Sequence, residues 1–226
     1  MRLLNQQELQ ASSVVANCAM NRERQLRGSN SYERDLGLDP LSFLNKCSTG
    51  APASWLDLCC GTGRALVEAA AEIVKSDAAD NVRIEGIDLA GVFDANPFPR
   101  VLTLRKQGLE SWQPTGRYAL VTCVHGLHYV GDKLATIAKA VSQLLPAGLF
   151  IANLDLANFR YADGHPAGRV VASRLRSNGL TYDARRRLLR CTGPHAVDCG
   201  LRYLGADDSA GPNYTGQAAV DSYYAR

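Results

Sequence analysis

Between Ser54 and Leu154 short apolar runs alternate with longer segments whose apolar residues recur every three to four positions. The runs predict strands at Ser54–Cys59, Val82–Asp88, Val101–Lys106, Tyr118–Val124 and Leu149–Leu154. The helical spacing predicts a helix over Gly63–Lys75, rich in Ala, Leu and Val. A second helix starts from a cap at Asp132 and runs to about Leu145, with Leu134, Ile137, Ala138, Val141 and Leu145 on one face. Pro146-Ala147-Gly148 then turns the chain into the next strand. Strands interleaved with helices predict an α/β fold, a parallel sheet covered on both faces.

The flanks are patterned differently. Asn5–Leu26 is polar and mostly helical in spacing, with Val14, Val15, Cys18 and Ala19 on one apolar stripe, and Gly28-Ser29-Asn30-Ser31 breaks it. A helix is expected from about Asp39, with Pro40 at its first position and Leu41, Phe43 and Leu44 inward, and Gly50-Ala51-Pro52 ends that section. Beyond Asp155, Ala167–Asn178 reads as a helix ended by Gly179. Leu180–Cys191 and Val197–Leu204 read as two strands joined through Gly193-Pro194. The tail from Gly205 is rich in Gly, Asp, Pro and Asn but carries Tyr214, Tyr223 and Tyr224, so it is expected to be ordered loop packed on the domain.

The 226 residues suffice for one sizeable core. A net charge of +3 is too mild to imply a nucleic-acid partner. Seven cysteines, an odd number with no CxxC pair and no secretory signal ahead of them, argue against a disulfide framework and a zinc site. They are expected to be buried small hydrophobes. No apolar run approaches ~18 residues, so no membrane partner is expected and the location reads as cytoplasmic. The oligomeric state is left open.

The most informative segment is Leu56-Asp57-Leu58-Cys59-Cys60-Gly61-Thr62-Gly63, which joins the first strand to the first helix. Ligands of doubly wound folds bind beside such turns. Gly61 and Gly63 permit tight turning, and Cys59, Cys60 and Thr62 keep the loop small. The dinucleotide fingerprint wants Gly or Ala three residues after the second Gly, where Leu66 stands, and the Gly-Lys-Ser/Thr of a phosphate loop is absent. Asp57 would repel a pyrophosphate but favour a ligand bearing an ammonium and a sulfonium; its plainer alternative is a loop cap or an Arg partner. Asp88 lies at the end of the second strand, 25 residues beyond Gly63, where a carboxylate can accept both hydroxyls of a ribose.

Together these residues resemble the class I S-adenosylmethionine-dependent methyltransferases. The segment Leu56–Gly63 resembles the first motif of that family, Ile84–Asp88 the second, Tyr118–Tyr129 the fourth strand and its loop, and Leu144–Gly148 the turn before the fifth strand. The resemblance covers roughly 53–155 and implies a doubly wound, mostly parallel seven-stranded sheet, Rossmann-like, whose last pair is an antiparallel hairpin. It implies S-adenosyl-L-methionine as cofactor, met by Asp57, Cys59, Gly61, Thr62, Gly63, Asp88, Leu89, Gln107, Gly108, Leu109 and His125. Many members carry Asp where Gly108 stands, a departure at the adenine contact. Residues 1–51 are expected to form a helical lid, with Asn30 and Tyr32 as its cofactor contacts, on a methyltransferase domain over 52–226; a solvated helix is the bland alternative.

The methyl group of such a cofactor is already activated, so an enzyme mainly aligns donor and acceptor. A base helps only an acceptor that must lose a proton, and His128, after the fourth strand, is the candidate. Thr122-Cys123 resembles the pair of RNA cytosine-C5 methyltransferases, but no Pro-Cys accompanies it and Cys123 reads as a buried thiol. The Asp/Asn-Pro-Pro-aromatic motif of amino-directed nucleic-acid enzymes is absent. Arg185-Arg186-Arg187 reads either as an anion or RNA contact or, on a strand, as a charge cluster protecting a sheet edge. The expectation is methyl transfer to O or N of a small molecule. The alternatives are an RNA methyltransferase and a non-catalytic cofactor-binding partner protein.

Overall fold

The computed structural model describes residues 2–16, 23–47, 52–76 and 79–226. Its most apolar strands lie at the centre of one sheet. β1 (Ala53–Leu58) and β4 (Tyr118–Cys123) are buried on both faces, as strands covered by helices on either side must be. β2 (Val82–Asp88) and β3 (Leu102–Lys106) extend the sheet in parallel on one side, and β5 (Leu144–Asn153) on the other. α4 (Pro40–Cys47) and α5 (Arg64–Lys75) pack Leu41, Leu44, Leu66 and Ile73 on one face. α6 (Lys133–Ser142) and α7 (Gly168–Ser177) pack Ile137, Val141, Val171 and Leu175 on the other. Pro40 opens α4 and Asp132 caps α6 through the Ala135 N–H, both as expected.

β8 (Leu188–Thr192) runs antiparallel to β5, and β7 (Thr181–Asp183) antiparallel to β8, which completes seven strands in the order β3-β2-β1-β4-β5-β8-β7. The hairpin implied by the resemblance is therefore present, but it is folded from within Leu180–Cys191. The chain reverses through Arg185-Arg186-Arg187, whose first two N–H groups donate to the Asp183 carboxylate at 2.9 and 3.0 Å. These arginines form a turn, so the strand-edge reading does not hold. Val197–Leu204 does not join that sheet. Its end enters β9 (Arg202–Asp207), which with β6 (Phe159–Tyr161) and β10 (Asp221–Ala225) forms a second sheet in the order β6-β10-β9. The tail is thus a central strand rather than loop alone, and it sets Tyr224 in the main core. The helix after Asp132 is shorter than expected. It ends at Ser142, because Leu144 already pairs with Tyr118, and an irregularity between Tyr118 and Leu120 accommodates the stretch around Pro146.

Ahead of the main sheet stand α1 (Gln6–Gln10), α2 (Ser13–Ala16) and α3 (Tyr32–Leu36). Where a single helix was expected over Asn5–Leu26, the described residues of that stretch hold two short ones; Cys18, Ala19, Asn21 and Arg22 lie outside the described residues, as do Gly50 and Ala51. Asn5 and Glu8 close α1 with reciprocal side-chain-to-backbone hydrogen bonds. A small separate core joins Leu9 to Ala206 and Val220, with Leu4, Val14 and Val15 against it. Among the described residues no helix is long and apolar enough to cross a membrane, and the six described cysteines are free thiols, four of them buried.

Candidate active site

The turn after β1 is built from left-handed residues. Cys59, Gly61 and Gly63 have φ of 62°, 63° and 79°. Glycine takes this conformation freely, whereas Cys59 takes it at a cost of about 1–2 kcal/mol, the kind of strain that collects at ligand sites. The turn delivers the chain into α5, with Gly63 as its N-cap. Asp88 completes the turn from the neighbouring strand end. Its carboxylate accepts the Gly61 N–H at 3.1 Å and the Ala90 N–H at 2.9 Å, which fixes its direction. The Gly63 N–H goes to the Cys60 carbonyl. The loop's glycine donors are thus engaged within the turn, and Thr62 turns to Asp94 at 3.2 Å.

A pocket of about 590 Å³, its open mouth included, lies at the carboxyl ends of β1, β2 and β3. Six predicted residues meet on its wall: Cys59, Asp88, Leu89, Gln107, Gly108 and Leu109. The opposite wall is Gln6, Leu9, Gln10 and Val15, from the N-terminal helices. Sequence reasoning expected a lid from residues 1–51 but named Asn30 and Tyr32 for it, not these four residues, whose one signal was the apolar pair Val14–Val15. Gln6 and Gln10 both donate to the Glu110 carboxylate, at 2.5 and 3.1 Å, tying the roof to the loop after β3. The wall presents two carboxylates, Asp88 and Glu110, the second already engaged by Gln6 and Gln10, among the apolar side chains of Ile87, Leu89, Leu109 and Val130. A nucleoside suits that lining, because its sugar hydroxyls need acceptors and its base needs apolar faces.

Gly61, Thr62, Gly63, Tyr32, Asp57, His125 and His128 do not line this pocket. Asp57 is fully buried. Its carboxylate accepts hydroxyl hydrogens from Tyr32, at 2.7 Å, and from Thr122, whose oxygen in turn accepts the Trp55 Nε1–H at 2.8 Å. Burial pushes the Asp57 carboxyl up to about 7, and the nearby Asp88 charge adds to this against the pull of Thr122 and Tyr32. Asp57 therefore holds α3 to the sheet. Cys123, beside it in β4, is a buried thiol, as expected.

His125, at φ 58°, sits in the left-handed turn after β4. Gly126 follows, where a Cβ would collide with the side chain of Cys59, so this turn packs directly against the pocket's inner wall. Three segments converge on His125, two on its imidazole and one on its backbone. Asp35 of α3 lies 3.4 Å from Nε2, the Tyr214 hydroxyl 3.4 Å from Nδ1, and the Asn153 carboxamide accepts the His125 N–H at 3.3 Å. Burial raises the Asp35 carboxyl, but hydrogen bonds from His125 and Arg24 outweigh it and hold it below its usual range. His128 is only 1% exposed, and neither ring nitrogen has a hydrogen-bond partner among the described residues. Burial, followed by the charges of His125 and Lys133, pushes its imidazole well below the usual value, so it is neutral. Arg187 pairs with Asp155 at 2.6 Å and lies 4.5 Å over the Tyr214 ring.

Comparison with known proteins adds a family. The family described as a methyltransferase domain matches residues 32–193. Among solved structures the chain is similar to the magnesium protoporphyrin IX methyltransferase of Synechocystis PCC 6803, with 15% identity over 80% of this chain and 94% of that one at a TM-score of 0.49. It is similar to the N-methyltransferase NodS of Bradyrhizobium japonicum WM9, with 16% identity over 78% and 98% at 0.41. It is also similar to an amino pentose methyltransferase of calicheamicin biosynthesis from Micromonospora echinaspora, with 20% identity over 62% and 56% at 0.41. The chain spans about half the length of the first structures it matches. No curated protein matches it.

Proposed function

The chain belongs to the methyltransferase-domain family, and we propose that it transfers a methyl group from S-adenosyl-L-methionine to O or N of a small-molecule acceptor. The observation that carries this reading is Asp88, a carboxylate fixed by two backbone N–H groups on the wall of a largely apolar pocket beside the glycine turn. In this reading Asp88 accepts the ribose hydroxyls, and Leu89, Leu109 and Val130 flank the adenine. Cys59 borders the ligand, and the turn through Gly61, Thr62 and Gly63 supports it from behind by fixing Asp88. Gln107 and Gly108 border the base. When bound, the cofactor supplies a methyl group already activated on a sulfonium, so the protein's task is alignment and exclusion of water. The helices of the N-terminal stretch do the excluding: α1 roofs the pocket, and α3 is held over the strand ends by Tyr32 on Asp57. The modest net charge of +3 favours a small acceptor over nucleic acid.

Titration calorimetry with S-adenosylhomocysteine, beside NADH as a control, tests the reading. Micromolar binding of the former alone is expected. Asp88→Ala should weaken it by about 1–3 kcal/mol, the scale of lost charge-assisted hydrogen bonds. Unchanged affinity in that variant would remove the ribose role of Asp88, and tight NADH binding would replace the cofactor.

A further inference from the structure

We propose that Asp35 and His125 form a carboxylate–imidazole pair that makes this enzyme a hydroxyl methyltransferase, with His125 as its base and Asp35 as the positioning residue. The inference rests on the cofactor reading above and narrows the acceptor within it. An ionised carboxylate only accepts hydrogen bonds. Asp35, whose Oδ2 faces the imidazole and also accepts the Arg24 Nε–H at 2.6 Å, therefore selects the tautomer that carries its proton on Nε2. The lone pair is then on Nδ1. At that nitrogen stands the phenolic hydroxyl of Tyr214, from a residue 37% exposed in the loop ahead of β10. An aromatic hydroxyl thus already fits the place that an acceptor hydroxyl would take. Both contacts are 3.4 Å, the long geometry that catalytic pairs show before substrate closes them.

The position is right for the reaction because the His125–Gly126 turn packs on Cys59, which lines the pocket. A neutral amine attacks with its own lone pair and gains little from such a base, whereas a hydroxyl must shed its proton as it attacks. Nδ1 takes the hydroxyl proton while the acceptor oxygen bonds to the methyl carbon. The electron pair of the broken carbon–sulfur bond stays on sulfur, and the proton passes from the imidazolium to water. His128, the base expected from sequence, lies one layer deeper at 5.6 Å between ring centroids and has no such partner among the described residues. The other charged and titratable groups around His125 are Arg24 beside Asp35, Tyr214 itself, and the Arg187–Asp155 ion pair behind the Tyr214 ring.

The first arm of the test needs no acceptor. Histidine ring-nitrogen chemical shifts of the full chain are recorded, with His125 assigned through His125→Gln. Wild-type His125 should show the Nε2-protonated tautomer, and Asp35→Asn should lose that preference, while affinity for S-adenosylhomocysteine stays within about threefold. The second arm offers S-adenosylmethionine with phenol, catechol, salicylate and glucose, beside aniline, benzylamine and glucosamine. Methylation of hydroxyls is expected. His125→Gln should slow it on the order of a hundredfold or more, and Asp35→Asn should lower kcat with KM little changed. A tautomer pattern unchanged in Asp35→Asn, an undiminished rate in His125→Gln, methylation confined to amines, or no methylation while S-adenosylhomocysteine binds would each overturn the proposal. Failure of the wild-type protein to bind S-adenosylhomocysteine would instead sink the cofactor reading, and the tautomer arm would stand apart from it.

Discussion

Asp57 and Lys133 are the same device with opposite charge. Each is a fully buried ionisable side chain that fastens a flanking segment to the main sheet. Asp57, in β1, holds α3 through the Tyr32 hydroxyl. Lys133, at the start of α6, holds the approach to β10: its ammonium donates to the Val130 and Val220 carbonyls at 2.8 Å and to the Ser222 hydroxyl at 2.7 Å. Burial brings both to about 7, one pushed up from 3.8 and the other pulled down from 10.5. The difference lies in the partners. Asp57 is met by two side-chain hydroxyls, which rotate and can let go. Lys133 is met by two backbone carbonyls of folded chain, which cannot. The N-terminal segment over the strand ends is therefore the releasable one, and the C-terminal strand is permanent.

The largest test of that contrast is Lys133→Met. It leaves two buried carbonyls without donors and should cost about 3–5 kcal/mol in urea unfolding. A loss under about 1 kcal/mol would mean that the C-terminal strand is held by packing alone. The pH dependence comes next and has two opposite arms. Folded Asp57 keeps its proton to a higher pH than the unfolded chain does. Its contribution is therefore full below about 4 and is lost as pH rises through about 7. Folded Lys133 gives up its proton more readily, so its contribution is full above about 10 and is lost as pH falls through about 7. Asp57→Asn should flatten the acid arm by on the order of 2 kcal/mol and leave the alkaline arm intact; superimposable stability curves for variant and wild type would remove Asp57 from the account. The smallest effect belongs to Tyr32→Phe. It should cost about 1 kcal/mol at pH 8, where the carboxylate needs its donors, and less at pH 4. An equal loss at both would make Tyr32 a packing residue only.

How much of this was legible follows from where the partners lie in the chain. β1 to β4, α5 and the turn between Cys59 and Gly63 were readable because each is specified by its own neighbours, in apolar runs, helical spacing and glycines. Asp88 was readable because its distance from the turn is a property of the strand–helix–strand unit. The second sheet was not, since Phe159–Tyr161 has three residues and no period, and its partner strand begins at Asp221. The same holds for which residues of the expected lid come to stand over Asp88, and for the meeting of Asp35, His125 and Tyr214. Each residue is ordinary where it stands, and only the folded topology brings them within reach. His125 and His128 both follow β4 and both are buried, so the sequence could not tell which of them has Asp35 beside it.

The bridge between Leu4 and Ala206, with the Leu4 N–H donating at 2.8 Å, bears on the order of assembly. It closes a loop of roughly two hundred residues, the kind of contact whose entropy is recovered only after the intervening chain is in place. The parallel core can form while the last strands are still being synthesised, but the roof over Asp88 cannot. Hydrogen exchange at Leu4 and Leu9 should accordingly outpace that of β1 and β4, and the pocket would open by a local unfolding that leaves the main sheet intact.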